Sequence, residues 1–157
     1  MTEEVSSPAT EMEGILRRLE EARQALMTAV EGCEAEHFEW EAAEEESVKR
    51  VLERTSDDLN FYYGRLAARA VSLPQPPCLL TAEFGSLREA AVALQVAHRR
   101  FTNLLHDLVP GDLEREAKDP EHGSYTLRQV LEMAAAQYRL RGQQVERIAT
   151  LASAGKQ

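Results

Sequence analysis

The chain has 157 residues, enough for one domain that buries a core without staples, and sets 27 Asp and Glu against 18 Lys and Arg for a net charge of -9. That charge repels a phosphate backbone rather than neutralising it, which argues against nucleic acid as a partner. No apolar run approaches the roughly 20 residues of a membrane span, and the acidic, polar start MTEEVSSPATE is unlike a secretory signal, so no membrane partner and a cytoplasmic location are expected. Cys33 and Cys78 are far apart and show no CxxC spacing. Both are read as reduced thiols, with neither a disulfide framework nor a zinc site signalled.

Four segments carry the three-four spacing of amphipathic helices, near residues 11–32, 47–72, 86–108 and 126–152, and no segment of comparable length alternates like a strand. The first opens with a Thr10-x-x-Glu13 capping box and aligns Ile15, Leu19, Ala22, Leu26 and Val30 on one face, with Gly32 placed to end it. The loop from Cys33 to Glu46 holds seven glutamates and reads as a solvated acidic surface. Ser47 is the expected N-cap of the second helix, whose stripe is Val48, Leu52, Thr55, Leu59, Tyr62 and Leu66. Pro74, Pro76 and Pro77 forbid its continuation.

The thirteen residues from Leu73 to Gly85 can stretch about 40 Å at about 3.3 Å each, enough for a lengthwise crossover that leaves the second and third helices parallel. The third helix opens with Ser86-x-x-Glu89 and collects Leu87, Ala91, Leu94, His98, Phe101, Leu105 and Leu108 before Pro110-Gly111. The fourth opens with Thr126-x-x-Gln129, carries Leu127, Leu131, Ala134, Tyr138, Arg141, Val145 and Ile148, and closes near Gly155. Four stripes closing over one core make an all-α, four-helix bundle with long connections, a single domain over residues 11–152 with flexible ends at 1–10 and 153–157.

His98, on the apolar stripe of the third helix, is expected to be a hydrogen-bonded core histidine, while His37 and His122 fall in loops. His106, eight positions from His98, lies some 80° further around the helix, so the two do not chelate as a pair. No Ser-His-Asp order, glycine-rich phosphate loop or HExxH helix is present.

The stretches Ser47-Val48-Lys49-Arg50-Val51-Leu52 and Asp119-Pro120-Glu121-His122-Gly123-Ser124-Tyr125-Thr126-Leu127-Arg128-Gln129-Val130-Leu131 resemble the two segments that mark the DinB-like (damage-inducible) family. Helix order, loop positions and spacing are similar from about residue 11 to 150. The resemblance implies a four-helix bundle that dimerises and holds a divalent metal on three histidines, one on the second helix and two, four residues apart, on the last. Several members are thiol-dependent transferases or isomerases that work with low-molecular-weight thiols.

Carried over residue by residue, the ligand positions fall at Arg54, Gln137 and Arg141. Arginine stays protonated and offers no lone pair, a glutamine amide oxygen is a poor ligand for soft divalent ions, and two fixed positive charges repel a cation. The resemblance therefore implies no metal and no cofactor at this pocket. The alternative is a divalent metal such as Ni or Zn at a shifted site, serving a transferase or isomerase.

Arg54, Gln137 and Arg141 are expected to converge, with Asp58, Tyr62, Tyr138 and His98 lining the pocket. A guanidinium amid an apolar face needs a carboxylate partner, for which Glu53, Asp57, Asp58 and Glu132 qualify by helix position. The plainer expectation is a structural ion-pair network. The sharper one is a clamp for a small anionic ligand, a carboxylate or phosphate, walled by Tyr62, Tyr63 and Tyr138. Because the residues of the family chemistry are missing, a metal-free binding or interaction module is expected. It is expected to pair as a homodimer through surface left outside the main stripe, such as Phe61 and Tyr63.

Overall fold

The computed structural model describes residues 7–74 and 80–155. Pro76, Pro77 and Cys78, and the greater part of the end expected at residues 1–10, lie outside the described residues. Helix α1 (Pro8–Glu31) starts one turn earlier than expected, because the Ser7 hydroxyl accepts from the Thr10 amide at 3.2 Å and so takes the cap that the Thr10-x-x-Glu13 box was to supply. Gly32 does end the helix, in a right-handed conformation with its amide still bonded to Thr28 O. Ile15, Leu19, Ala22, Leu26 and Val30 are all buried, so the predicted stripe is the core face.

A short 3-10 turn, Ala35–His37, leads through the acidic loop to α2 (Val48–Asp58), capped by the Ser47 hydroxyl on the Arg50 amide at 3.1 Å. The same helix then widens into a π turn, Leu59–Tyr63, before closing over Gly64–Ala70. The wide turn absorbs one extra residue and shifts the apolar stripe by one position. Tyr63, expected at the surface, is therefore buried, while Tyr62, expected in the stripe, is only partly so. Glycine is needed after that turn: a Cβ on Gly64 would stand 2.6 Å from Leu59 O.

The crossover is visible at its far end. Glu53 Oε2 accepts from the Phe84 amide at 2.8 Å and Asp57 Oδ1 from the Ala82 amide at 2.7 Å, so the chain has come back along α2, from its end to its middle, before α3 (Leu87–Asn103) begins. Ser56 and Asn60 then share a cleft with Ala93, Val96, Ala97 and Arg100, which sets α3 running in the direction of α2. The Ser86 hydroxyl caps α3 on the Glu89 amide at 3.1 Å. The helix stops at Asn103 rather than 108, where the amides of Leu104 and Leu105 tighten onto Phe101 O and Thr102 O; Leu105 still reaches the core from that turn.

After a 3-10 turn at Pro110–Glu114, a hairpin that the sequence did not betray pairs β1 (Glu116–Asp119) with β2 (Gly123–Thr126), Ala117 opposite Tyr125. Its four-residue strands are too short to display a period, and its turn is marked only by Gly123 at φ +92. The predicted Thr126-x-x-Gln129 box forms in both directions and starts α4 (Leu127–Ala154), with Gln129 N on Thr126 Oγ1 at 3.2 Å and Thr126 N on Gln129 Oε1 at 2.9 Å. Helices α1 and α4 lie side by side in the same direction: Glu11 pairs with Arg128 near their starts, and a Cβ on Gly142 would stand 3.3 Å from Leu26 Cα. The protein is thus mainly α-helical, with one hydrophobic cluster drawn from all four helices and the hairpin. Among the described residues, no helix is long and apolar enough to cross a membrane.

Candidate functional site

Among the described residues, the expected site residues fall mainly into three polar clusters set in the apolar packing. In the first, Arg141 is nearly buried on α4 and its Nη2 stands 3.9 Å from Asp58 Oδ2 on α2, while its Nη1 donates to Gln144 Oε1 at 2.9 Å. With its amide oxygen turned toward Arg141, Gln137 accepts from Nε at 3.1 Å and Nη2 at 2.8 Å, and its hydrogen bond to Asp58 completes the set. Burial, and then the Asp57 charge, push the Asp58 carboxyl up, against the opposing pull of Arg141, Arg54 and Gln137. Of the four candidate carboxylates, Asp58 is thus the one at Arg141. Glu53 and Asp57 hold the returning crossover instead, and Glu132 is exposed.

Arg54 departs from this group. Its side chain is turned outward to pair with Glu46 and acts on Asp58 only through its charge. Tyr62 also lies elsewhere, in a second cluster at the hairpin, where its hydroxyl donates to Asp119 Oδ2 at 2.8 Å. Asp119 further accepts from the Glu121 amide at 2.9 Å and meets His122 Nδ1 at 3.1 Å. The Glu121 amide first, then Tyr62, hold its carboxyl at about 2. This cluster pins the hairpin turn to α2, and Arg69 adds a bond to Lys118 O at 2.9 Å.

The third cluster joins α1, α3 and α4. His98 Nδ1 is 2.5 Å from Tyr138 Oη, and His98 Nε2 faces Glu20 Oε2 at 3.3 Å. Burial pushes the Tyr138 phenol up, so it stays protonated and donates to Nδ1, which leaves the proton of the neutral ring on Nε2, toward Glu20. Glu20 is held ionised by Arg23 at 2.6 Å, whose hydrogen bond lowers its carboxyl. Burial and then the Arg23 charge hold His98 down at about 4, although Glu20 acts to raise it. The cluster floors two adjoining clefts of about 390 and 270 Å³, which share Glu20, His98 and Thr102. Neither Glu20 nor Arg23 had been singled out from the sequence; both sit at partly exposed helix positions with no motif around them.

A proton on buried His98 must be removed for this arrangement to form, and the sign of its effect on stability follows. With an ordinary value of 6.5 and a folded value of about 4, the contribution is fully present above pH 6.5 and lost as pH falls toward 4. Thermal melting is expected to show the midpoint falling across that window, with a flatter profile in His98→Gln. An unchanged slope in that variant would remove His98 as the source.

The sequence places His37 in a loop, but it is buried, with neither ring nitrogen hydrogen-bonded among the described residues. Cys33-x-x-x-His37 is a Cys/His spacing that was not singled out from the sequence, and it is the sequence signal that marks this turn. Compared with known proteins, the chain matches no family model, no curated protein and no solved structure.

Proposed function

We propose that the chain is a four-helix bundle of the DinB-like type that works as a binding or interaction module, metal-free at its ancestral metal pocket, which a structural network has refilled. The observation that carries this reading is the Arg141 guanidinium, nearly buried and held by Gln137, Gln144 and the Asp58 carboxylate two helices away in sequence. A guanidinium whose donors are used internally is a strut between α4 and α2, and its fixed charge opposes a cation there. The His98–Tyr138 pair supports the same reading, since both groups are spent on one another and on Glu20.

The test restores the family ligands. The combined variant Arg54→His, Gln137→His, Arg141→His is expected to bind one more equivalent of Ni2+ or Zn2+ than its parent by calorimetric titration. A folded variant with no added equivalent would sink the assignment of these positions to an old metal pocket.

The module is further proposed to act as a homodimer. Tyr63 is in the core and gives this no support, but Leu80, Val92 and Val96 are exposed, and Leu80 and Val96 edge a largely apolar cleft of about 540 Å³. Light scattering is expected to give about twice the chain mass of 17.6 kDa at micromolar concentration. A mass of one chain would end the dimer reading.

A further inference from the structure

The turn after α1 holds a group that its surroundings leave unexplained. His37 is 3% exposed, yet neither imidazole nitrogen has a hydrogen-bond partner among the described residues. A buried ring with two polar atoms unmatched is costly, and native interiors keep such groups where something else completes them. Facing His37 are Glu34 and Glu36, whose carboxylates together with an imidazole nitrogen offer three ligand atoms, all within 4.8 Å of one another.

We propose that Glu34, Glu36 and His37 bind one first-row divalent cation of the zinc or nickel class. The spacing suits it. Glu34 Oε2 stands 3.8 Å from His37 Nδ1, too long for a hydrogen bond. Two ligands each about 2.0–2.2 Å from a tetrahedral zinc ion stand roughly 3.3–3.6 Å apart, so this pair closes by a few tenths of an ångström around an ion. Two carboxylates and one imidazole leave a position for water, and the imidazole favours transition metals over magnesium or calcium.

The frame is already set. His37 N bonds Glu34 O at 2.9 Å, Phe38 N bonds Ala35 O at 3.2 Å, and Lys49 N bonds Phe38 O at 3.0 Å, so the 3-10 turn is tied to the start of α2 before any ion arrives. The surrounding field is favourable as well, since residues 33–46 hold seven glutamates and no lysine or arginine. Cys33 stands apart from the ligand set, its Sγ directed to Glu34 O at 3.6 Å and its thiol pushed up by burial. A bound ion would clip the acidic loop between α1 and α2, on residues that the Arg141 network does not use.

The untagged full chain, stripped with chelator, is titrated with Zn2+ and Ni2+ by calorimetry. One saturable equivalent is expected, weakened about tenfold or more in each of Glu34→Gln and Glu36→Gln. Both changes are at exposed positions, and an unchanged far-UV circular dichroism spectrum and melting midpoint without metal are required of each variant. Glu44→Gln and high salt are expected to leave the affinity little changed, because a coordinated ion is screened far less than a cation cloud. No saturable binding, equal affinity in the glutamine variants, or a loss matched by Glu44→Gln would each overturn the site. The equivalent counted here is present in the parent chain, so its failure is distinct from any failure of the triple-histidine variant.

Discussion

Leu131→Ala is expected to lower the unfolding free energy by about 2–5 kcal/mol, the cost of removing a buried leucine and leaving its space only partly refilled. Leu131 is fully buried in the second turn of α4, with Leu127, Val130 and Ala134 buried beside it. All four sit on α4, which packs against α1 and α2, so the site has little freedom to collapse. For a chain of this size each kcal/mol moves the melting midpoint by about 2–4 °C. Urea unfolding should show an earlier midpoint with an unchanged slope, which separates lost packing from a changed unfolded state. Leu140→Ala is the control: the same helix and the same deletion at a half-exposed position, expected to cost about 0.5 kcal/mol or less. A loss at Leu131 no greater than at Leu140 would remove it from the core.

Glu53→Ala is expected to cost about 2–4 kcal/mol, although glutamate on a helix ordinarily reads as a surface residue. Its carboxylate is 4% exposed and accepts from the Phe84 amide at 2.8 Å, with Lys49 paired to the same oxygen and Arg50 at 3.9 Å from the other. Truncation leaves a buried backbone N–H without an acceptor exactly where the crossover returns to α2, so helix α3 loses the anchor that sets its start. Glu53→Gln keeps an acceptor and is expected to lose about half as much or less. Equal losses in the two variants would mean that the charge, rather than the bond to Phe84, is what matters. Amide exchange at Phe84 gives the second readout, with faster exchange expected in Glu53→Ala and near-parental exchange in Glu53→Gln.

The two residues differ in how legible they are from sequence. Leu131 belongs to a stripe repeated every three or four positions, and a repeated pattern identifies a buried face without reference to anything else in the chain. The same holds for Ser47, Ser86 and Thr126, which act as N-caps where the sequence places them, because a cap is satisfied within three residues. Glu53 has no such signature: its partner lies 31 positions away.

The candidate clusters divide along the same line. The need of Arg141 for a carboxylate follows from its place on an apolar face, but four acidic residues could meet it by helix position, and only packing selects Asp58. Arg54 was expected beside Arg141, yet it is turned out to Glu46, a loop residue whose position no helical period reports. The exchange of Tyr62 for Tyr63 in the core has a local cause that is nonetheless invisible in the sequence. A π turn adds one residue to the helix, and the residues over Leu59–Tyr63 fit either phase until the Leu59 carbonyl and the bare Cα of Gly64 come together.

By itself the sequence determined four helices, most of their ends, their buried faces and the acidic excess of the loop after α1, because each depends on residues within a turn or two of one another. Tertiary structure decided the hairpin, whose strands are paired by hydrogen bonds rather than by pattern. It also decided which acid meets Arg141, that Glu53 is a buried anchor, and that His37 is enclosed with no hydrogen-bond partner among the described residues, since each of these turns on groups brought together in space, where charge, desolvation and hydrogen bonding are settled by distance.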